Sequence, residues 1–118
     1  MEVNDFKNLN FSLLGHNTSF EGDLQFEGDT IINGHIKGSI TLLKKGKITF
    51  ERDSKMLGEL YCHDVEILGS FEGSIKASGT LIVRSSGQVS GKIEAQNLSI
   101  YPGAVMNIDA QTNPTDIE

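Results

Sequence analysis

The sequence predicts an all-β, single-domain chain wound as a β-solenoid of about six coils. Three observations carry that expectation: a glycine-centred motif returning about every 17 residues, an apolar triplet between its copies, and a glycine excess. Thirteen of 118 residues are glycine, about 11% against a background of roughly 7%, with two prolines and no tryptophan. That surplus marks tight backbone turns and suits short strands better than helices.

The first element is apolar-x-Gly-x-apolar. It occurs as Phe20-Glu21-Gly22-Asp23-Leu24, then around Gly38 (Ile36, Ile40), Gly58 (Met56, Leu60), Gly73 (Phe71, Ile75) and Gly91 (Val89, Ile93). A decayed sixth copy reads from Val105 through Asn107 to Asp109. Spacings of 16, 20, 15, 18 and 16 residues match one coil of a β-helix and not a helical hairpin repeat. The second element is the triplet Ile48-Thr49-Phe50, Val65-Glu66-Ile67, Leu81-Ile82-Val83 and Leu98-Ser99-Ile100, with Thr30-Ile31-Ile32 as the first. Both alternate with period two, as a strand with one buried face requires.

Stacked copies make columns. Phe20, Ile36, Met56, Phe71, Val89 and Val105 are expected above one another inside, with Leu24, Ile40, Leu60, Ile75 and Ile93 as a second inner column. Intervening residues such as Glu21, Lys37, Glu59 and Lys92 face water. The central glycines turn a corner that a Cβ would crowd. Six coils at the ~4.8 Å strand spacing make a rod on the order of 30 Å long.

No capping helix is legible at either end, so terminal strands are expected to offer unpaired N–H and C=O groups. At the C-terminal end Met106 and Ile108 fall on the outer parity, and a one-residue slip returns them inside. Short flexible tails are expected over 1–12 and 111–118, flanking a domain at 13–110.

Ten Lys and Arg against 16 Asp and Glu give a net charge of -6, so nucleic acid is not an expected partner. The run Lys44, Lys45 and Lys47 reads as a solvated turn. Cys62 is the single cysteine, which excludes an internal disulfide and fits a reducing compartment. Residues 1–19 lack a basic start and an apolar core, and no stretch offers ~20 apolar residues, so neither export nor a membrane span is expected.

A left-handed hexapeptide-repeat acyltransferase is the enzymatic alternative, but coils of 15 to 20 residues break a six-residue rhythm. His16 precedes the first full repeat, His35 faces outward, and His63 follows Cys62 at a corner. Adjacent strand residues point to opposite faces, so Cys62 and His63 are not expected to form a dyad or a metal site. Cys62 shares a column with Leu42, Ala77 and Ala95 and reads as a small buried thiol. The acids Glu21, Asp23, Glu27 and Asp29 read as a solvated face. No catalytic, cofactor or metal residue is expected, and a non-polymerising adaptor is the remaining alternative.

The runs Phe20 to Ile40 and Gly87 to Ala95, the latter followed by Leu98-Ser99-Ile100 and Gly103-Ala104-Val105, resemble the opening and closing coils of bactofilins, with the likeness covering roughly residues 12–110. The resemblance implies a right-handed, three-sided parallel β-helix. It also implies apolar filaments that form end to end without nucleotide or other cofactor, usually beneath the inner membrane. Such filaments serve as cytoskeletal scaffolds for cell-shape and wall-modifying machinery. The chain's implied partners are copies of itself, with wall-modifying enzymes or membrane proteins as clients. Its implied contact residues are Leu98, Ile100, Val105, Met106 and Ile108 at the C-terminal end and Leu13, Leu14 and Phe20 at the N-terminal end. Family members that touch membrane use a short apolar, often basic N-terminal peptide. The matching residues here are Phe6, Leu9 and Phe11, accompanied by Glu2, Asp5 and Lys7.

Overall fold

A strand that buries every second residue must find another apolar surface, and in this chain each coil finds it on the coil before and after. The computed structural model describes the backbone of residues 11–14, 19–43 and 45–117, and the side chains of 19–43 and 45–108. The described residues form a parallel sheet of ten strands: β1 (Phe11–Leu14), β2 (Ser19–Glu27), β3 (Asp29–Ile32), β4 (His35–Leu43), β5 (Lys47–Phe50), β6 (Lys55–Cys62), β7 (Asp64–Ile67), β8 (Ser70–Val83), β9 (Gln88–Ile100) and β10 (Val105–Ile117). This is the expected β-solenoid.

Two ladders run along it. The first stacks β2, β4, β6 and the leading parts of β8, β9 and β10, giving six rungs and therefore five full turns from first to last. The second stacks β1, β3, β5, β7 and the trailing parts of β8, β9 and β10, one rung more.

Register makes the columns literal. Phe20, Ile36, Met56, Phe71 and Val89 pair in turn, as do Leu24, Ile40, Leu60, Ile75 and Ile93. On the second ladder, Thr30, Ile48, Val65, Leu81 and Leu98 form one inner column, and Ile32, Phe50, Ile67, Val83 and Ile100 another. Phe50 and Phe71 meet edge-to-face across the interior, their centroids 5.9 Å apart, which ties the two ladders together. Thr30, buried among apolar neighbours, satisfies its hydroxyl by donating to the Gly28 carbonyl at 3.1 Å.

The motif glycines sit inside strands yet carry positive φ, so each bends its strand around a corner. At Gly58, φ is +139° and an added Cβ would lie 1.8 Å from the Gly38 carbonyl oxygen one rung earlier. Gly22 has the same φ of +137°, but no rung precedes it among the described residues, and its Cβ would meet only the Phe20 ring at 3.5 Å. Gly58 is needed for both conformation and space, Gly22 for conformation alone.

One expectation is corrected at the C-terminal end. Met106, not Val105, continues the first inner column by pairing with Val89; Ile108 pairs with Gly91, and Val105 points outward with 56% exposure. The sixth copy has no glycine to mark its phase, and the parity that prevails is the one that turns two large apolar side chains inward instead of one. In addition, β10 continues to Ile117 with register shifts between Gln111 and Asn113 and between Pro114 and Asp116. Backbone pairing of this kind needs no apolar pattern, and the shifts accommodate a proline that has no N–H to donate.

A polar ladder unseen in the sequence reading crosses four coils on the outside. Glu66 accepts from both Lys47 and Arg84, one coil to either side, and the Arg84 guanidinium lies 4.5 Å from the centroid of the Tyr101 ring in the next coil. Burial raises the Glu66 carboxyl, but the hydrogen bonds and charges of Lys47 and Arg84 outweigh it, and the net effect holds it below the usual 4.5.

Two outcomes are expected from this geometry. Gly58→Ala should abolish cooperative thermal unfolding, whereas Gly22→Ala, facing only backbone strain, should lose about 1–2 kcal/mol and keep a two-state melt; equal losses would contradict the stacked-glycine account. For Glu66 the folded pKa is depressed, so its contribution is present above the unfolded value and fades as pH falls through the folded one. Glu66→Gln should therefore cost about 1 kcal/mol in urea unfolding at neutral pH, a gap that closes in acid.

Candidate assembly interface

Inner columns are sealed along their length because each side chain has a neighbour above and below; the first and last members lack one. Ile36, Met56, Phe71 and Val89 are at most 3% exposed, while Phe20 at one end of the column and Met106 at the other are only partly buried. Among the described residues, the partly buried apolar side chains packed on the core are Phe20, Ile100, Ala104, Met106 and Ile108, one from the first rung of its ladder and four from the final coils. Stacking does not set the distribution by itself, since Leu24 and Phe26 on the same first rung as Phe20 are 1% and 0% exposed.

The backbone is open at the same places. Among the described residues β1 pairs only with β3, β2 only with β4, and β10 only with β9, so each presents an unpaired edge. The N-terminal end is stepped, since β1 extends the second ladder one rung beyond β2. Leu13 and Leu14 pair with Ile31 and Ile32 in that extra rung. The C-terminal end is a whole rung, β10, contributed to both ladders.

The structure sets Met106 and Ile108 on the last rung, Ile100 one rung earlier in register with Ile117, and Phe20 at the other end. Val105 stands on the outer rim of the C-terminal rung. Leu98 is 4% exposed, in register between Leu81 and Pro114 of β10. Ala104 was missed in the sequence. It closes the last turn by donating its N–H to the Tyr101 carbonyl at 3.2 Å, and the dipeptide Pro102-Gly103 is the signal that could have marked it. Phe6 and Leu9 lie outside the described residues, and Phe11 opens the backbone of β1 in register with Asp29.

The chemistry-bearing side chains scatter. Cys62 is buried in register with Ala77, and burial, then the Asp64 carboxylate, push its thiol up to about 12. His63 turns away and shares a 2.9 Å hydrogen bond between Nδ1 and the Ser78 hydroxyl. His35 is exposed and His16 lies outside the described residues. Glu21, Asp23 and Asp29 are exposed and Glu27 half-buried, as an outer face demands. No group of three or more His, Cys, Asp or Glu side chains able to hold a metal occurs among the described residues, and no helix is long and apolar enough to cross a membrane.

Fold and ends together define a parallel β-solenoid whose terminal rungs are left unpaired among the described residues. The chain belongs to the bactofilin family, whose model, described as polymer-forming cytoskeletal, matches residues 12–111. It is similar to Bactofilin BacO of Myxococcus xanthus (strain DK1622), with 28% identity over 93 residues that span 79% of this chain and 72% of that protein. No solved structure matches the chain. Family membership makes it a polymer-forming cytoskeletal protein.

A thiol held protonated inside a packed column has no nucleophile to offer. At about pH 8, native protein should leave Cys62 unreacted with a chromogenic disulfide reagent for many times the half-life measured in denaturant; comparable rates would show that Cys62 is accessible.

Proposed function

We propose that this chain is the repeating unit of a filament that grows end to end without nucleotide or other cofactor and serves as a cytoplasmic scaffold for cell-shape or cell-wall machinery. The supporting observation is the confinement of core-packed, incompletely covered apolar side chains and unpaired strand edges to the coils at the two ends. Adding a rung at either end pairs backbone groups and covers apolar side chains at once, so association repeats the contact that already holds coil to coil. The C-terminal contact uses Met106, Ile108 and Ile100 with Val105 at its rim, and the N-terminal contact uses Phe20 and the β1 rung carrying Leu13 and Leu14. Phe6, Leu9 and Phe11 give the same filament a peripheral hold on the inner membrane. The polymer-forming description of the family supports self-association.

Negative-stain microscopy and sedimentation in nucleotide-free buffer test the reading. Wild-type protein should pellet as fibres, whereas Ile108→Arg, which sets a cation against a partner's apolar end, should raise the concentration needed for polymer by more than about tenfold while preserving the β circular-dichroism signal. Leu57→Arg, on an outward row at mid-rod, should polymerise like wild type. A wild-type chain that stays monomeric, or an Ile108→Arg chain that forms fibres normally, removes the proposal.

A further inference from the structure

The first rung is better covered than its place in the stack explains. Leu24 and Phe26 have described column neighbours on one side only, Ile40 and Leu42, yet they are buried as deeply as Met56 at mid-rod. Thr30 and Ile32 in the same coil are equally buried, and for them β1 supplies the next rung. Phe20, at the other end of β2, stays only partly buried. Cover is therefore present over one half of β2 and incomplete over the other.

Connectivity indicates which segment can supply it. Among the described residues β2 pairs only with β4, and every register partner of β1 lies on β3. Residues 15–18 join Leu14 to Ser19 and so reach β2 at its Phe20 end. Residues 1–10 lie outside the described residues and lead into Phe11, whose partner Asp29 follows the Phe26 end of β2 across the single residue Gly28. Ten residues of extended chain reach roughly 33 Å, enough to match the nine of β2.

Register narrows the fit. Each residue of β1 pairs with the residue eighteen positions later. Carried across the corner at Gly28, that offset sets Phe6 over Leu24, Asn8 over Phe26 and Lys7 over Gln25, an outward position with the carboxylates of Asp23 and Glu27 two residues to either side. A shift of one residue would instead press the Lys7 ammonium onto Leu24, a buried charge without a partner. Position 4 is not a glycine, so the segment is not built to follow β2 round its bend at Gly22, where φ is +137°, and Phe20 lies beyond that bend.

We propose that residues 5–9, Asp5-Phe6-Lys7-Asn8-Leu9, dock on residues 23–27 of β2 as a parallel half-rung, with Phe6 seated on Leu24 and Phe26. The occupant of this edge is thus the chain's own segment, one that precedes the residues 12–111 matched by the family model. It competes with a second copy for the same strand edge. On the filament reading, on which this consequence rests, growth at the N-terminal end requires release of the segment, while the C-terminal rung stays available. Seated on β2, Phe6 is also withheld from a membrane. The docking itself does not rest on polymerisation.

Register-specific cross-linking of the full chain is the test, at concentrations too low for polymer. Lys7→Cys/Gln25→Cys sets two thiols on adjacent strands about 5 Å apart, whereas Lys7→Cys/Glu21→Cys sets them more than about 10 Å apart, beyond the reach of a disulfide. Mild oxidation should close an intrachain disulfide in the first pair at least about tenfold more completely than in the second, as mass spectrometry of non-reduced peptides reads it. Cys62, being buried, takes no part. Phe6→Asp should raise the fluorescence of a dye that binds exposed apolar surface several-fold and leave the β circular-dichroism signal unchanged. Three results would each overturn the proposal: equal closure of the two pairs, disulfides that join two chains instead of one, or unchanged dye fluorescence in Phe6→Asp. None of these measurements needs a fibre, so the failure of this inference and that of the filament reading remain distinguishable.

Discussion

Coil-on-coil register is the constraint on which the rest of the structure depends. No coil here has a core of its own, since every large inner side chain is buried by the residue in the same slot one turn away. The glycine corner enforces this: the missing Cβ at Gly58 leaves room for the Gly38 carbonyl, and the same contact repeats at Gly38, Gly73 and Gly91. Spacing, bend and column alignment are thereby set by one backbone contact. The Lys47, Glu66, Arg84 and Tyr101 chain reinforces it from outside, coupling four coils through groups that are adjacent only when register is correct.

A structure held by identical contacts between successive layers has no internal reason to stop. In a globular core the last side chain is covered by a loop or helix; here the last members of a column are left with one neighbour. That is why Phe20 and Met106 are half-covered while Met56 is sealed. The interior of the rod and its ends are the same physical object, differing in whether the next layer is present.

Much of this was legible because period-two alternation and glycine spacing report the buried face and the corner directly. The five glycine-marked copies fell into the register that the structure shows, and so did Cys62 beside Ala77. The sixth copy did not, because Ile108 occupies the glycine slot and leaves the phase unmarked; the pairing of Met106 with Val89, which turns both Met106 and Ile108 inward, sets it. Leu98 lies 4% exposed beside β10, whose extent depends on backbone pairing that polar residues conceal. The Glu66 ladder was written in the sequence at one residue per coil, but it has no meaning until the coils are aligned.

The flanks obey a different rule from the ends. Outward rows carry the acids and lysines, and a chain with net charge -6 repels a parallel copy laterally over distances set by salt screening. In the filament proposed above, axial contact is short-ranged, apolar and paired by backbone, so it escapes most of that repulsion. Such a filament lengthens and does not thicken. The flanks of that proposed filament are free to differ from coil to coil without disturbing growth, because the ladders keep register whatever side chain the outward positions carry.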